Sequence, residues 1–297
     1  YGSGRGETVL AQALQGIPRD RVVIGTKFGY DFYHHDSPER GQRELPHDWS
    51  PSFVRHALEQ SLRRLRTDYV DLLWLHMRDA STPIDEFVRA LDDQVRLGKV
   101  LYVGISDSPA WVVSRANAIA ELRGWSPFVA VQLPYSVAAR DPEREVLPMA
   151  AELGLTVVPW GVLEAGALTG RDPATLRWGE SLSERTRAAA DAVREVAAEL
   201  DCTAAQVAVA WLLHRSAPEI VPLVGVRSAA QLEQSLGALD LELSEEHRAT
   251  LDAAAPPALG FPRAFLESEG VRELIYGDTR DLLYSRGARA FHAAAAR

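Results

Sequence analysis

Residues 22–29 read Val22-Val23-Ile24-Gly25-Thr26-Lys27-Phe28-Gly29, a short apolar run that ends on a lysine and a glycine. Its β-branched residues predict a buried β-strand. Burying an ammonium group is costly unless the site uses its charge, so Lys27 at the end of this strand indicates a functional position. A second apolar run, Asp71-Leu72-Leu73-Trp74-Leu75-His76, ends in the same way on a histidine. Two titratable groups at the carboxyl ends of neighbouring strands are therefore the main chemical signal.

The composition is that of an ordinary globular protein, with 297 residues, 46% of them apolar and 25% charged. The net charge of −9 argues against a nucleic-acid or anionic-membrane partner, which would favour a basic surface. The single cysteine, Cys202, excludes an internal disulfide framework and suits a reducing compartment. No run approaches the roughly 18 apolar residues that a membrane helix needs. We therefore expect a cytoplasmic protein.

The same strand-then-helix unit recurs along the chain. Six strands are predicted, at 22–29, 71–76, 100–106, 128–132, 155–160 and 220–226. The predicted helices cover 7–15, 51–65, 83–97, 110–122, 143–153, 183–200, 203–214 and 229–239, and Ser50 caps the second of them. Strands that are apolar throughout indicate a parallel sheet buried on both faces. Because no linker interrupts the series, it favours one closed α/β barrel over two Rossmann halves.

A complete eight-stranded barrel takes about 250 residues or more, yet only six strands are found. The first residue is Tyr1 rather than a methionine. We therefore expect a single barrel domain over residues 1–297 that lacks its first two strands and its natural beginning. The sequence leaves open whether a signal peptide has been removed.

Five segments, in this order, resemble motifs of the aldo-keto reductase family. They are Tyr1-Gly2-Ser3-Gly4-Arg5-Gly6-Glu7, Thr26-Lys27-Phe28-Gly29, Ser61-Leu62-Arg63-Arg64-Leu65 with Asp68-Tyr69-Val70-Asp71-Leu72, Gly104-Ile105-Ser106-Asp107, and Gly225-Val226-Arg227-Ser228-Ala229-Ala230-Gln231-Leu232. The resemblance implies a (β/α)8 TIM barrel that reduces an aldehyde or ketone, with sugar-derived carbonyl compounds among the candidate substrates, and uses NADPH.

The resemblance implies three catalytic residues, Tyr1, Lys27 and His76. Tyr1 would donate the proton, and a nearby ammonium would lower its pKa from ~10 because opposite charge favours the phenolate. Lys27 would supply that ammonium, and His76 would hydrogen-bond the carbonyl oxygen. The family aspartate that pairs with the lysine lies before its tyrosine, so Lys27 is expected to lack this counter-ion. The structural alternatives are a frayed terminus, a lysine reaching solvent and a core histidine.

The cofactor residues implied by the resemblance form three groups. The nicotinamide would contact Ser106, Asp107, Gln132 and Trp160; the phosphates would lie near Gly161, Leu163, Gly166 and Gly170; the adenosine 2′-phosphate end would contact Gly225, Arg227, Gln231 and Ser235. A guanidinium fork at Arg227 favours NADPH over NADH. Two positions depart from the family pattern. Asp107 replaces an asparagine and cannot donate to an amide oxygen when ionised, and Gly161 replaces a serine. Trp160 could instead cap the barrel end.

The substrate pocket is expected to lie among loops at the carboxyl ends of the strands, notably residues 30–50 and 259–276. Its candidate walls are Phe28, Tyr30, Trp74, Met77 and Phe261. His34, His35 and Asp36 have no metal-site spacing, so no metal is predicted. The expected partner is a small carbonyl compound, and the sequence allows both a monomer and a homo-oligomer. A nucleotide-binding regulatory barrel and an inactive fragment that cannot close its barrel remain alternative functions.

Overall fold

The computed structural model describes residues 4–29, 49–171, 182–277 and 279. Tyr1, Tyr30 and the His34-His35-Asp36 segment therefore lie outside the described residues. The internal contacts divide the chain into two compact units, Tyr1–Val131 and Gln132–Arg297, which are described separately below.

Within the described residues, five strands form one sheet in the order β1-β2-β3-β4-β5. They are β1 Gly25–Phe28, β2 Val70–Leu75, β3 Val100–Ser106, β4 Phe128–Pro134 and β5 Thr156–Trp160. The pairs β1–β2 and β2–β3 are parallel, as the apolar runs predict. Each strand is flanked by helices, so the chain has the predicted α/β class.

The sixth predicted strand, 220–226, is wrong as a strand because the described residues have only one parallel bridge there, between Val157 and Ile220. The amide of Val221 donates to the Val157 carbonyl at 2.9 Å, and that of Leu223 donates to Pro159 at 2.9 Å. Pro159 has no N–H of its own, so β5 cannot return the next bond of the ladder. The segment therefore lies beside β5 without forming a regular strand.

Eleven α-helices are found in the described part of the chain. They are α1 Arg5–Ala13, α2 Pro51–Leu65, α3 Ile84–Arg96, α4 Ala110–Arg123, α5 Val146–Leu153, α6 Glu184–Glu199, α7 Ala204–Leu213, α8 Ala229–Leu236, α9 Glu245–Ala254, α10 Arg263–Leu266 and α11 Glu269–Tyr276. The Ser50 hydroxyl accepts the Phe53 amide at 3.4 Å, which confirms the predicted cap of α2. The sequence pattern does not predict the last three helices.

In the first unit, Asp79 fixes the turn that follows β2. Its carboxylate accepts the amide of Thr82 at 2.5 Å, the hydroxyl of Thr82 at 2.7 Å and the amide of Trp49 at 2.9 Å. Trp49 is fully buried and meets the ring of Phe87 edge-on, with centroids 4.8 Å apart. One carboxylate thus ties the entry to α2 to the turn between β2 and α3.

Trp74 lies flat across one face of β1–β3. It is paired with Lys27 on β1 and with Gly104 on β3. A Cβ atom at Gly104 would lie 2.5 Å from the indole, so only glycine leaves room for this ring. Because side chains alternate along a strand, Lys27 projects from the same face as Trp74, and so do His76 and Ser106, which lie two residues after Trp74 and Gly104. The polar residues at the ends of these three strands therefore lie together on one face of the sheet.

Candidate functional site

The centre of the candidate site is a short chain of polar groups at the carboxyl ends of β1–β3. The Lys27 ammonium donates to the Ser106 hydroxyl at 3.4 Å, and that hydroxyl donates to the Asp107 carboxylate at 3.1 Å. His76 extends β2 by one residue, since its amide donates to the Phe28 carbonyl at 2.9 Å. The structure thus brings together Lys27 and His76, which the strand ends predicted, and Ser106, which the resemblance implies as a cofactor contact.

The two titratable groups have perturbed pKa values. Burial lowers the pKa of the Lys27 ammonium to about 8, although the charge of Asp107 acts in the opposite direction. Burial and the nearby Lys27 charge lower the pKa of the His76 imidazole to about 4. At neutral pH the pair is therefore an ammonium beside a neutral imidazole, which can donate one hydrogen bond without a full charge.

Asp107 places an opposite charge near Lys27, for which the resemblance implies that the family aspartate is missing. The carboxylate follows β3 with a φ of 47°, a left-handed conformation that aspartate tolerates better than most side chains. Its charge raises the pKa of Lys27 against the effect of burial. The residue that departs from the family pattern is thus an opposite charge that acts on Lys27.

Glu7 is a residue of the site region whose role the sequence did not predict. Its carboxylate accepts the Thr26 hydroxyl at 2.5 Å and the Arg64 guanidinium at 2.5 Å. Burial opposes its charge, but hydrogen bonds from Thr26, Ser61 and Arg64 lower the pKa of Glu7. It thereby fastens α1 to the strand residue next to Lys27. Its place in the Tyr1–Glu7 motif was the available signal.

The candidate substrate walls are in different environments. Trp74 is buried beside Lys27 on the neighbouring strand. Met77, the residue that follows His76, is exposed. Phe28 pairs with Leu75, which in turn pairs with Ile105, and all three are buried on the face opposite Lys27. The alternation of side chains therefore places Phe28 in core packing and not beside the lysine. Phe261 belongs to the second unit, where its ring is 83% exposed.

In the second unit, the predicted phosphate-side residues form a tight loop after β5. Gly161, Gly166 and Gly170 have φ values of 71°, 106° and 74°, which glycine adopts without strain. Glu164 also has a positive φ, and its carboxylate accepts the Ser136 hydroxyl at 2.6 Å. Burial raises the pKa of Glu164. Leu163 precedes the 3-10 turn Glu164–Thr169, while Gln132 is buried and Trp160 is partly exposed.

The predicted 2′-phosphate residues lie around the N-terminus of α8, in the same unit. The Arg227 amide donates to the Gln231 side chain at 2.8 Å, and the Gln231 amide donates to the Ser228 hydroxyl at 3.3 Å. Gly225 and Arg227 are exposed. Ser235 is buried, and its hydroxyl donates to the Gln231 carbonyl at 2.9 Å. The exposed guanidinium therefore stands at a capped helix start, where anions are favoured.

The described residues contain neither a cluster of metal-ligating side chains nor a single helix that could span a membrane. Within residues 4–29, 49–171, 182–277 and 279, no three His, Cys, Asp or Glu side chains cluster as a metal site. No single helix of that part is long and apolar enough to span a membrane, while α6 and α7 pass the length and composition test only as a pair bent by 100°.

A parallel sheet with flanking helices, and with titratable side chains gathered at strand ends, defines an α/β protein with an enzyme-like site. The chain belongs to the aldo/keto reductase family, whose family model matches residues 1–256. The norsolorinic acid reductase stcV of Emericella nidulans is 38% identical over 251 residues, which are 84% of this chain and 64% of that protein. The NADP(+) aryl-alcohol dehydrogenase of Phanerodontia chrysosporium is 33% identical, over 89% of this chain and 69% of that protein.

A solved structure has the same fold. The crystal structure of a thermostable aldo-keto reductase in complex with the inhibitor epalrestat has a TM-score of 0.69 and 26% identity, covering 86% of this chain and 79% of that chain. These matches confirm the family resemblance, and the five-stranded parallel sheet is consistent with the predicted (β/α)8 barrel fold. The chain spans 64% of the length of the norsolorinic acid reductase stcV.

Proposed function

We propose that this protein reduces an aldehyde or ketone to an alcohol with NADPH. The observation that carries the proposal is the cluster of Lys27, His76 and Ser106 on one face of the sheet, with Asp107 beside it. An ammonium with a pKa of about 8 next to a neutral imidazole suits a reaction in which an alkoxide develops and is protonated. The name of the aryl-alcohol dehydrogenase relative favours an aromatic carbonyl compound as substrate.

Each residue has a separate task in this proposal. The neutral imidazole of His76 donates a hydrogen bond to the carbonyl oxygen and orients it. The phenol of Tyr1 transfers its proton to the developing alkoxide, and the Lys27 ammonium stabilises the phenolate that remains. The nucleotide supplies the hydride when bound. In this proposal, Lys27 and His76 therefore stabilise negative charge that develops only during the reaction.

The residues around α8 fit the phosphate-bearing end of NADPH. Arg227 is exposed beside a helix start whose side-chain caps, Ser228 and Gln231, are already in place. A guanidinium can pair with the 2′-phosphate of NADPH through two hydrogen bonds, and NADH has no such group. The loop Gly161–Gly170 would pass along the pyrophosphate.

The direct test follows the absorbance of NADPH as purified chain reduces a panel of aromatic and sugar-derived aldehydes. We expect loss of absorbance with stoichiometric formation of alcohol. Tight NADPH binding with no turnover of any member of the panel would instead favour a nucleotide-binding regulatory protein. Absence of both binding and turnover would contradict both functions.

Arg227→Gln is expected to weaken the binding of NADPH much more than the binding of NADH. Loss of the charge-assisted bonds to the 2′-phosphate should weaken NADPH binding by about 10- to 100-fold, while NADH binding changes less than about twofold. Titration of each nucleotide against intrinsic fluorescence measures the two dissociation constants. Equal weakening of NADPH and NADH binding would contradict the proposed contact between Arg227 and the 2′-phosphate.

Asp107→Asn is expected to move the alkaline limb of the kcat profile to lower pH. The Asp107 charge raises the pKa of Lys27, so its removal takes that pKa below about 8. A shift of about one pH unit is expected for loss of a nearby opposite charge. Asp93→Asn, which removes one carboxylate from the exposed face of α3, is the charge control. An alkaline limb that stays in place, or moves to higher pH, would contradict the proposal that the Asp107 charge acts on Lys27.

A further inference from the structure

Arg78, two residues after His76, is a cation that the proposed reaction does not use. Its Nε atom is buried and makes no hydrogen bond within the described part of the chain. Its guanidinium lies over the indole of Trp111, with Cζ 5.1 Å from the ring centroid. Trp111 belongs to the first turn of α4 and is 54% exposed. The pair therefore joins the loop after β2 to the first turn of α4.

Arg78 differs from Arg140 and Arg215, two other arginines of this chain that lie over a tryptophan ring. Arg140 and Arg215 both lie over Trp211, and their charges are balanced by the carboxylates of Glu143 and Asp252. Among residues 4–29, 49–171, 182–277 and 279, no carboxylate lies within ion-pair distance of Arg78. A partly buried guanidinium without a carboxylate is an incomplete ion pair, and such groups favour a ligand anion.

The turn that carries Arg78 is held in place from both sides. His76 continues the hydrogen-bond ladder of β2, and the Asp79 carboxylate accepts the amides of Thr82 and Trp49. The stacking contact with Trp111 restricts the guanidinium itself. Little conformational entropy is therefore lost when this side chain engages a ligand, which favours affinity.

We propose that Arg78 and Trp111 form a subsite for a carboxylate borne on an aromatic ring of the carbonyl substrate. The guanidinium edge pairs with the carboxylate, and the exposed indole packs against the ring. Arg78 lies on the loop after β2 and Trp111 at the start of α4, the helix that follows β3, so both are near the strand ends that carry His76 and Ser106. This inference rests on the proposed carbonyl reduction and names its substrate class as aromatic carbonyl acids.

The test compares 4-formylbenzoate with its methyl ester, which has the same ring and aldehyde but no charge. In Arg78→Gln, kcat/KM for 4-formylbenzoate should fall about 10- to 100-fold, mainly through KM, while the value for the ester stays within about twofold. Arg78→Lys keeps the charge without the planar fork and should lie between parent and Arg78→Gln. Trp111→Leu should weaken both substrates, because the ring loses its platform.

Arg123→Gln is the matched control, since Arg123 also lies near a tryptophan, Trp125, but at the opposite end of α4. It should leave the preference for the carboxylate unchanged. A parallel fall for acid and ester in Arg78→Gln would show a structural role and overturn the inference, as would no fall for either.

A binding measurement keeps this inference separate from the proposed function. Calorimetric titration of the parent chain with 4-formylbenzoate and with the ester requires no turnover. Binding of the acid that is lost in Arg78→Gln, in a chain that consumes no NADPH, would support the subsite and contradict the reductase. Equal binding of acid and ester by the parent chain would overturn the subsite whatever the activity.

Discussion

Lys27→Met is expected to lower kcat for carbonyl reduction about 10³-fold, the range that a positioned acid–base group contributes. Methionine keeps the length of the side chain and removes the ammonium, so the tyrosine phenol loses the charge that stabilises its phenolate. The measurement is the initial rate of NADPH oxidation with a saturating aromatic aldehyde. NADPH affinity should change little, because the proposed phosphate contacts lie in the other unit. A kcat within about tenfold of the parent would exclude Lys27 as an essential group.

The same variant gives a second, independent readout in the pH dependence of stability. The pKa of Lys27 falls from 10.5 to about 8 on folding, because burial disfavours the ammonium. Between these values the unfolded chain holds a proton that the folded chain has released, so this residue makes the free energy of unfolding rise with pH. Lys27→Met should abolish that rise. Urea unfolding at several pH values between 8 and 10.5 measures it for parent and variant.

Glu143→Gln is expected to produce the largest loss of stability, about 3–5 kcal/mol, the cost of breaking a buried ion pair on one side. The Glu143 carboxylate accepts from Arg140 and, at 2.7 Å, from the hydroxyl of Tyr135. Arg215 approaches the same carboxylate at 3.4 Å. Burial opposes the charge of Glu143, but these arginines lower its pKa. Glutamine leaves two guanidinium groups close together without that charge between them.

Urea or thermal unfolding measures the change, and Asp191→Asn is its matched control. Asp191 pairs with Arg194 at an exposed position three residues away on α6, so its loss should cost less than about 1 kcal/mol. If Glu143→Gln were no more destabilising than this control, the cluster would not be a stabilising centre of the second unit.

The sequence predicted the elements whose signals are local. The period of Val54, Leu58 and Leu62, together with the cap Ser50, predicted α2, and all three apolar residues are buried in the structure. The apolar runs that end at Lys27 and His76 predicted two neighbouring strands, and the structure confirms both. The face that the two residues share follows from the observed register of these strands. The motif resemblance predicted the family, which the comparisons confirm.

Other features depended on residues far apart in the chain. The interrupted pairing at 220–226 follows from Pro159 on the neighbouring strand, which no pattern within that segment reveals. Helices α9–α11 have no counterpart in the sequence prediction, although Ser244 and His247 form a reciprocal cap at the start of α9. Phe28 is predicted as a pocket wall, yet it follows Lys27 directly on β1, and adjacent strand residues face opposite sides of the sheet.

The sequence by itself determined the α/β class, the strand ends that carry the reactive groups and the family, since each is encoded in short stretches of chain. Only the tertiary structure decided that Asp107 acts on Lys27, that Glu7 joins Thr26 to Arg64, and that Arg78 rests on Trp111. The physical reason is that charge and hydrogen bonding act through space over a few ångströms, whereas these partners are separated by many residues along the chain.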